Sequence, residues 1–405
     1  MTTVLRVIAG LGLLLISWLF WGSRADEEHN TAPIVRTVVR HPVMTAVVVA
    51  AAIVAFGALV VIAGIVPIRA SSGHWRITAI FLDFAKTRSV STYSWGIEAP
   101  PLDNESWILT GAAHYETACV PCHGSPDRTI PPVAEAMTPR PPQLNPRIAR
   151  WQPEELFSIV KHGIKFTGMP AWPAQQRDDE VWAMVAFLRR MPQLDSGAYR
   201  RLVYGETANA ESALDPESPP RAIREMCSRC HGRDGTGRIA GAFPSLAGQR
   251  SAYLLASLRA FRERKRFSGI MGEIATKLSD PAMREIAAYY ERLPPRDAEA
   301  SIDEGSVMRG QAIATSGVPE RDIPACRECH GPIASRKNPA YPKLSAQHHA
   351  YLTSQLRLLQ QRRRGGTLNV DLMHVFVNRL RQDEIHDVAR YYATSSPVSE
   401  AAGVR

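Results

Sequence analysis

The chain has 405 residues, 45% of them hydrophobic, a formal net charge of +9 and six cysteines. That length excludes a single small module and accommodates about two to four domains, each able to bury a core of its own. The positive charge suits an anionic membrane surface, nucleic acid or an acidic protein partner and does not choose among them, while six cysteines in so long a chain do not fit the disulfide frameworks of small secreted proteins.

Two apolar stretches open the chain: Val4 to Gly22, interrupted only by Arg6, and Val43 to Val66, with no charge. An apolar helix of about 20 residues crosses the roughly 30 Å hydrocarbon core, so both qualify as spans. The first also has the layout of a signal peptide, with an n-region from Met1 to Arg6 and an h-region from Val7 to Phe20. Cleavage there would make the second span return the remaining chain to the cytoplasm, whereas the cysteine chemistry described next is completed outside it. Two retained transmembrane helices are therefore predicted, over 1–22 and 43–66. They are joined by a cytoplasmic connector over 23–42, whose Arg24, Arg36 and Arg40 follow the positive-inside bias. In the neck segment 67–105, Ile77, Ile80, Phe81 and Phe84 recur at helical spacing. Two readings stand: an interfacial helix on the membrane, or a neck helix packed on the domain that follows.

All six cysteines fall in three copies of Cys-x-x-Cys-His: Cys119, Cys122 and His123; Cys227, Cys230 and His231; Cys326, Cys329 and His330. Glu206 to Pro220 is rich in Ala, Glu, Ser and Pro and reads as linker, and a shorter break runs from Pro294 to Gly305. Three domains are predicted, over 106–200, 221–296 and 305–396, with a linker over 201–220. The last two repeat each other: Phe243-Pro-Ser-Leu-Ala-Gly-Gln249 matches Tyr341-Pro-Lys-Leu-Ser-Ala-Gln347 at a shift of 98, and Tyr253-Leu254 matches Tyr351-Leu352 at the same shift. Met271 and Met373 match at a shift of 102. The periodicity predicts an all-α protein with little or no strand, each domain closing on a helix: Asp179 to Arg190, Asp280 to Arg292 and Gln382 to Tyr392. Ser279-Asp280-Pro281 is an N-cap followed by proline, a helix start.

Cys-x-x-Cys-His predicts covalent attachment of c-type haem. Two thiols on one helical turn add across the two porphyrin vinyl groups, and the adjacent imidazole reaches the iron. Zinc is the competing chemistry, but three pairs do not divide into four-cysteine sites, and zinc needs no histidine after every pair. A thioredoxin-like pair needs a βαβ context that is missing. Three covalently bound haem c groups are therefore predicted. Fast one-electron transfer favours a sixth iron ligand, and methionine raises the potential. The candidates are Met169, in Thr167-Gly-Met-Pro-Ala-Trp172, then Met271 and Met373. Met137 is a rival to Met169, whereas Met184 and Met283 lie inside closing helices and suit packing. His162 and the His348-His349 pair are alternatives for bis-histidine ligation, with surface or supporting roles preferred.

These units resemble class I cytochrome c domains, and 221–396 resembles the periplasmic diheme cytochromes. The resemblance is carried by the Cys-x-x-Cys-His-Gly turns, by Phe243-Pro-x-Leu-x-Gly-Gln249 and its copy, and by Met-x-x-x-Ala-x-x-Leu-Ser. It implies an all-helical fold, methionine as sixth ligand and a proline carbonyl supporting the proximal histidine. The stretch 106–200 resembles a monohaem member of the class. The third unit departs from the pattern: Val377 replaces the alanine, Ala346 replaces the glycine, and His374 follows the candidate ligand.

The expected function is a membrane-anchored electron carrier in the cytoplasmic (inner) membrane of a bacterium, its haem domains in the periplasm. Its expected partners are a quinol-oxidising complex upstream and a terminal oxidase downstream. The alternative is the cytochrome subunit of a periplasmic dehydrogenase. The chain is not expected to be an enzyme by itself, because a haem peroxidase needs an open iron position, and no small-molecule substrate is evident. Nucleic-acid binding is excluded by location. Basic runs at Arg259 to Arg266 and Arg362 to Arg364 precede the methionine loops, and are expected to form a positive docking collar steering a redox partner.

Overall fold

The structure, a computed structural model, describes residues 42–65, 68–205, 223–238, 241–300, 303–331, 338–367 and 369–397. The first predicted span, most of the connector and residues 206–220 of the linker lie outside the described residues. The chain divides into two bodies, Met1–Gly73 and His74–Arg405.

In the first body, α1 (Pro42–Ile62) is built from Val, Ala and Ile without a charge, and none of its residues is buried. Among the described residues it is the one helix long and apolar enough to cross a membrane, its 21 residues reaching roughly 30 Å. It stops short of the predicted Val66 because Gly64 turns left-handed (φ 66°). The Ile65 and Gly64 N–H groups then bond back to the Val60 (3.2 Å) and Val61 (3.1 Å) carbonyls, closing the helix in a Schellman turn.

The second body opens with α2 (Arg76–Tyr93). It lies against α6 (Pro153–His162) and buries only Val90. Its Ile77, Ile80, Phe81 and Phe84 stay 63–76% exposed. The helix packs on the first unit, as the neck reading expects, while its apolar stripe stays uncovered.

The first unit continues with α3 (Glu105–Ala118), the turn α4 (Val120–His123), α5 (Pro132–Glu135), α6, α7 (Asp178–Arg190) and α8 (Ser196–Tyr204). Asn104 caps α3 by accepting the Trp107 N–H. Asp178, Asp179 and Glu180 in the first turn of α7, with Arg189 and Arg190 in its last, match the helix dipole. Helices α3 and α7 cross at Gly111, where a Cβ would stand 2.3 Å from the Ala183 carbonyl. Around the crossing, Tyr115, Phe157, Trp182, Phe187 and Tyr199 form the core, and burying an aromatic as fully as Phe187 contributes about 1.5–3 kcal/mol. Helix α8 crosses the predicted boundary at 200 and runs into the predicted linker, because Tyr199 and Val203 are fully buried in that core.

The second unit holds α9 (Ser228–His231), α10 (Ser251–Arg262), α11 (Met271–Thr276) and α12 (Asp280–Arg292). Ser279 caps α12 on the Ala282 N–H. The third holds α13 (Glu304–Ser316), α14 (Arg327–His330), α15 (His349–Gln360), α16 (Val370–Val377) and α17 (Gln382–Thr394). Separate cores gather on Ile223, Leu254, Met283 and Tyr290 and on Ile313, Leu352, Ile385 and Tyr392. The described residues contain no strand, only two isolated bridges.

Candidate haem sites

Each Cys-x-x-Cys-His segment is a single helical turn. The His123 N–H bonds to the Cys119 carbonyl (2.8 Å) and that of His330 to Cys326 (2.9 Å), so the thiols and the imidazole share one face. The six described cysteines form no disulfide. Burial pushes the Cys119 and Cys227 thiols up to about 12 and those of Cys230 and Cys326 to about 11, so they are held as thiols rather than thiolates.

The histidines are set alike in all three turns. His123 Nδ1 lies 2.9 Å from the Pro142 carbonyl, His231 Nδ1 3.0 Å from that of Pro244, and His330 Nδ1 3.0 Å from that of Pro342. Only a protonated Nδ1 donates to a carbonyl, so Nε2 keeps its lone pair for a metal. Burial, working against that same hydrogen bond, holds each imidazole below its ordinary pKa and therefore neutral. Phe243 and Tyr341, 98 residues apart, set their ring centroids 6.2 Å from His231 and His330 respectively.

Met169, Met271 and Met373 are each partly buried. Met169 sits in a loop tied by its own N–H to Thr167 Oγ1 (3.1 Å) and by its carbonyl to the Ile164 N–H (3.2 Å). Met271 opens α11 and packs on the second core. Met373 lies on α16, next to His374, whose Nε2 is engaged 2.7 Å from the Arg364 carbonyl. Met184 and Met283 are core residues, as their helical positions predict. Met137 packs its methyl against Gly168, beside the Met169 loop. His162 is exposed. His348 lies between Glu299 (3.3 Å) and the Thr236 carbonyl (3.0 Å), and His349 faces His386, so neither joins a proximal histidine in a bis-histidine pair.

The second and third units meet through a reciprocal clamp that preserves the 98-residue shift. Gln347 accepts the Ser245 N–H and donates to the Ser245 carbonyl, and Gln249 does the same to Lys343, all four at 2.9 Å. Beside it, buried Arg266 donates to Tyr253 (3.3 Å), Ser257 (3.0 Å) and Tyr351 (3.1 Å), while Arg364 donates to Tyr253 (3.0 Å). These two arginines, again 98 residues apart, bring buried positive charge together with no carboxylate among these partners, and Arg364 Nε has no acceptor. Burial and the neighbouring Arg266 hold Arg364 below its ordinary pKa. Such a donor set has spare capacity for carboxylates, and haem c carries two propionates, so these residues fit it.

The same geometry takes Arg266 out of the expected docking collar. Arg266 is 7% exposed and fastens two units together. Arg259 and Arg262 are both paired with Asp280, Lys265 with Glu263, and Arg363 reaches Asp178 of the first unit. Both runs were legible as charge, but their partners lie up to 185 residues away. Conversely, the role of Arg266 and Arg364 was missed, although the repeat shift that relates them was the available signal.

The model of the cbb3-type cytochrome c oxidase subunit III family matches residues 108–188, and that of the cytochrome c family matches 221–301. A thiosulfate dehydrogenase electron acceptor from Stutzerimonas stutzeri is 38% identical over 168 residues, 41% of this chain and 77% of the relative. Cytochrome c4 from Thiocapsa roseopersicina is 32% identical over 189 residues, 46% of this chain and 96% of its own. The solved structure of Acidithiobacillus ferrooxidans cytochrome c4 overlays 42% of this chain and 98% of its own, at 29% identity and a TM-score of 0.37. A match that takes in nearly all of a cytochrome c4 reaches far beyond the shared five-residue turns, and the chain belongs to the cytochrome c family.

Proposed function

We propose that this cytochrome c is a triheme carrier held in the cytoplasmic membrane of a bacterium. On this reading its haem units lie in the periplasm and pass electrons between respiratory complexes, toward a terminal oxidase. The observation that carries the reading is the repetition of one histidine setting, Nδ1 on a proline carbonyl at 2.9, 3.0 and 3.0 Å, within a single body. The cysteine pairs 119/122, 227/230 and 326/329 would hold the porphyrins. His123, His231 and His330 would be proximal ligands, and Met169, Met271 and Met373 the distal ones. Bound haem c supplies an iron that takes up and releases one electron; the chain's own part is to orient the imidazoles and exclude water. The apolar α1 and the uncovered stripe on α2 support tethering to a bilayer.

A second reading, acceptance of electrons from a periplasmic dehydrogenase, is favoured by the 38%-identical relative named as a thiosulfate dehydrogenase electron acceptor. One purification tests both. The full chain should stay in carbonate-washed membranes and keep three haems per polypeptide after acid–acetone extraction; two haems, or release by carbonate, overturns the proposal. Reduction by a thiosulfate dehydrogenase with thiosulfate, compared with a quinol-oxidising complex with quinol, identifies the donor.

A further inference from the structure

The first and second units touch through the loops that carry their candidate distal ligands. Trp172 follows Met169 by three residues and is 7% exposed. Gly269 precedes Met271 by two, and a Cβ at 269 would stand 2.4 Å from the Trp172 Nε1 and 2.7 Å from its Cε2. Only glycine permits that approach. Phe267 and Ile270 pack on the core of the first unit, and the His114 ring meets the indole edge-on with centroids 4.9 Å apart.

One buried carboxylate organises the contact. Glu180, on α7 and 6% exposed, accepts the Trp172 indole N–H (3.2 Å), the Gly269 backbone N–H (2.7 Å) and the Ser268 hydroxyl (2.6 Å). Ser268 Oγ in turn accepts the Met271 N–H (3.0 Å). Arg177 lies 3.0 Å from Glu180 and donates to the Phe267 carbonyl (2.7 Å), balancing the buried charge. A fully satisfied buried network of this kind fixes a single arrangement of the groups it joins. From Met169 to Met271 the route therefore has a single non-bonded step, with Pro170, Ala171 and Trp172 on one side of it and Gly269 and Ile270 on the other.

We propose that Trp172 is the relay between the first two redox centres and that Glu180 is the positioning residue that seats it against Gly269. One electron passes from the reduced centre of one unit to the oxidised centre of the other; no bond forms or breaks, no proton moves, and Trp172 is not itself oxidised. The proposal rests on the haem reading above. It also assigns this face to internal transfer, leaving outside partners to other surfaces.

The test uses the full-length haem-loaded protein in detergent. Partial photoreduction starts internal transfer, which is followed optically, while potentials, haem content and thermal midpoint are measured on the same samples. Trp172→Leu and Gly269→Ala should slow transfer between the first two centres by about tenfold or more, as expected for loss of a packed contact, with potentials unchanged. Trp172→Phe, which keeps a ring in place, should restore most of the rate. Glu180→Ala should slow transfer and also speed hydrogen exchange at the Gly269 amide. If Gly269→Ala fails to fold, the Trp172 pair alone decides. Wild-type rates in Trp172→Leu with three haems present overturn the relay; fewer than three haems in the wild type overturns the underlying haem reading instead.

Discussion

Among individual residues, the third unit's departure from the repeat has a visible backbone consequence. Gly248 of the second unit has φ 69° and its N–H bonds to the Tyr290 carbonyl (2.9 Å); Ala346, at the same place in the third, has φ 56° and bonds to Tyr392 (2.8 Å). The fold imposes a left-handed residue at both positions, and alanine adopts it at a cost of about 1–2 kcal/mol. Glycine loses more backbone entropy on folding, which offsets part of that. Ala346→Gly should therefore stabilise the protein by roughly 0.5–1 kcal/mol, seen as a higher thermal midpoint. An unchanged or lower midpoint would show that no strain is stored there. His374, another local departure, has its Nε2 engaged 2.7 Å from the Arg364 carbonyl.

Among elements, two helix pairs cross where glycine removes the side chain, and in the third unit a buried acid also pins the approach. In the third unit α13 meets α17 at Gly310, where a Cβ would lie 2.0 Å from the Asp387 carbonyl oxygen. Asp387 accepts from Ser306 Oγ (2.6 Å) and Arg309 Nε (2.7 Å) across the same crossing. Burial pushes its carboxyl up, but the Arg309 and Ser306 hydrogen bonds outweigh that and hold it below its ordinary value. A lowered folded-state pKa contributes stability above the unfolded carboxyl's titration near pH 4, lost as pH falls through the folded value. Thermal unfolding of Asp387→Asn and the wild type should accordingly differ at pH 7 and converge as pH drops below about 4. A gap that persists unchanged at pH 3 would assign the effect to shape rather than charge.

For the three units together, cohesion depends on backbone read by side chains. Gln347 takes both polar groups of the Ser245 peptide, next to the carbonyl that orients His231, and Gln249 mirrors this beside His330. Replacing both glutamines by leucine strands the two buried backbone groups of Ser245, at about 1–3 kcal/mol each, and frees the two half-buried groups of Lys343 at a smaller cost. The second and third units should then melt separately in denaturant, where the wild type melts them together. Retention of one transition at the same midpoint would show that the arginine–tyrosine cluster suffices.

What the chain determined by itself was local: the three attachment turns, the helix start at Ser279, the closing helices and the internal repeat. The turns and helix ends depend on residues within a few positions of one another, and the repeat is the same local pattern written twice, so the sequence alone reveals them. Tertiary structure decided which groups meet across units. The Arg259 to Arg266 run has the same sequence whether solvated or buried, and only the fold supplies Asp280, Tyr253 and Tyr351 as its partners. Glu180 looks like any first-turn acid on α7, where it suits the helix dipole; its donors at Ser268 and Gly269 are 88 and 89 residues away, a separation over which no local pattern carries information.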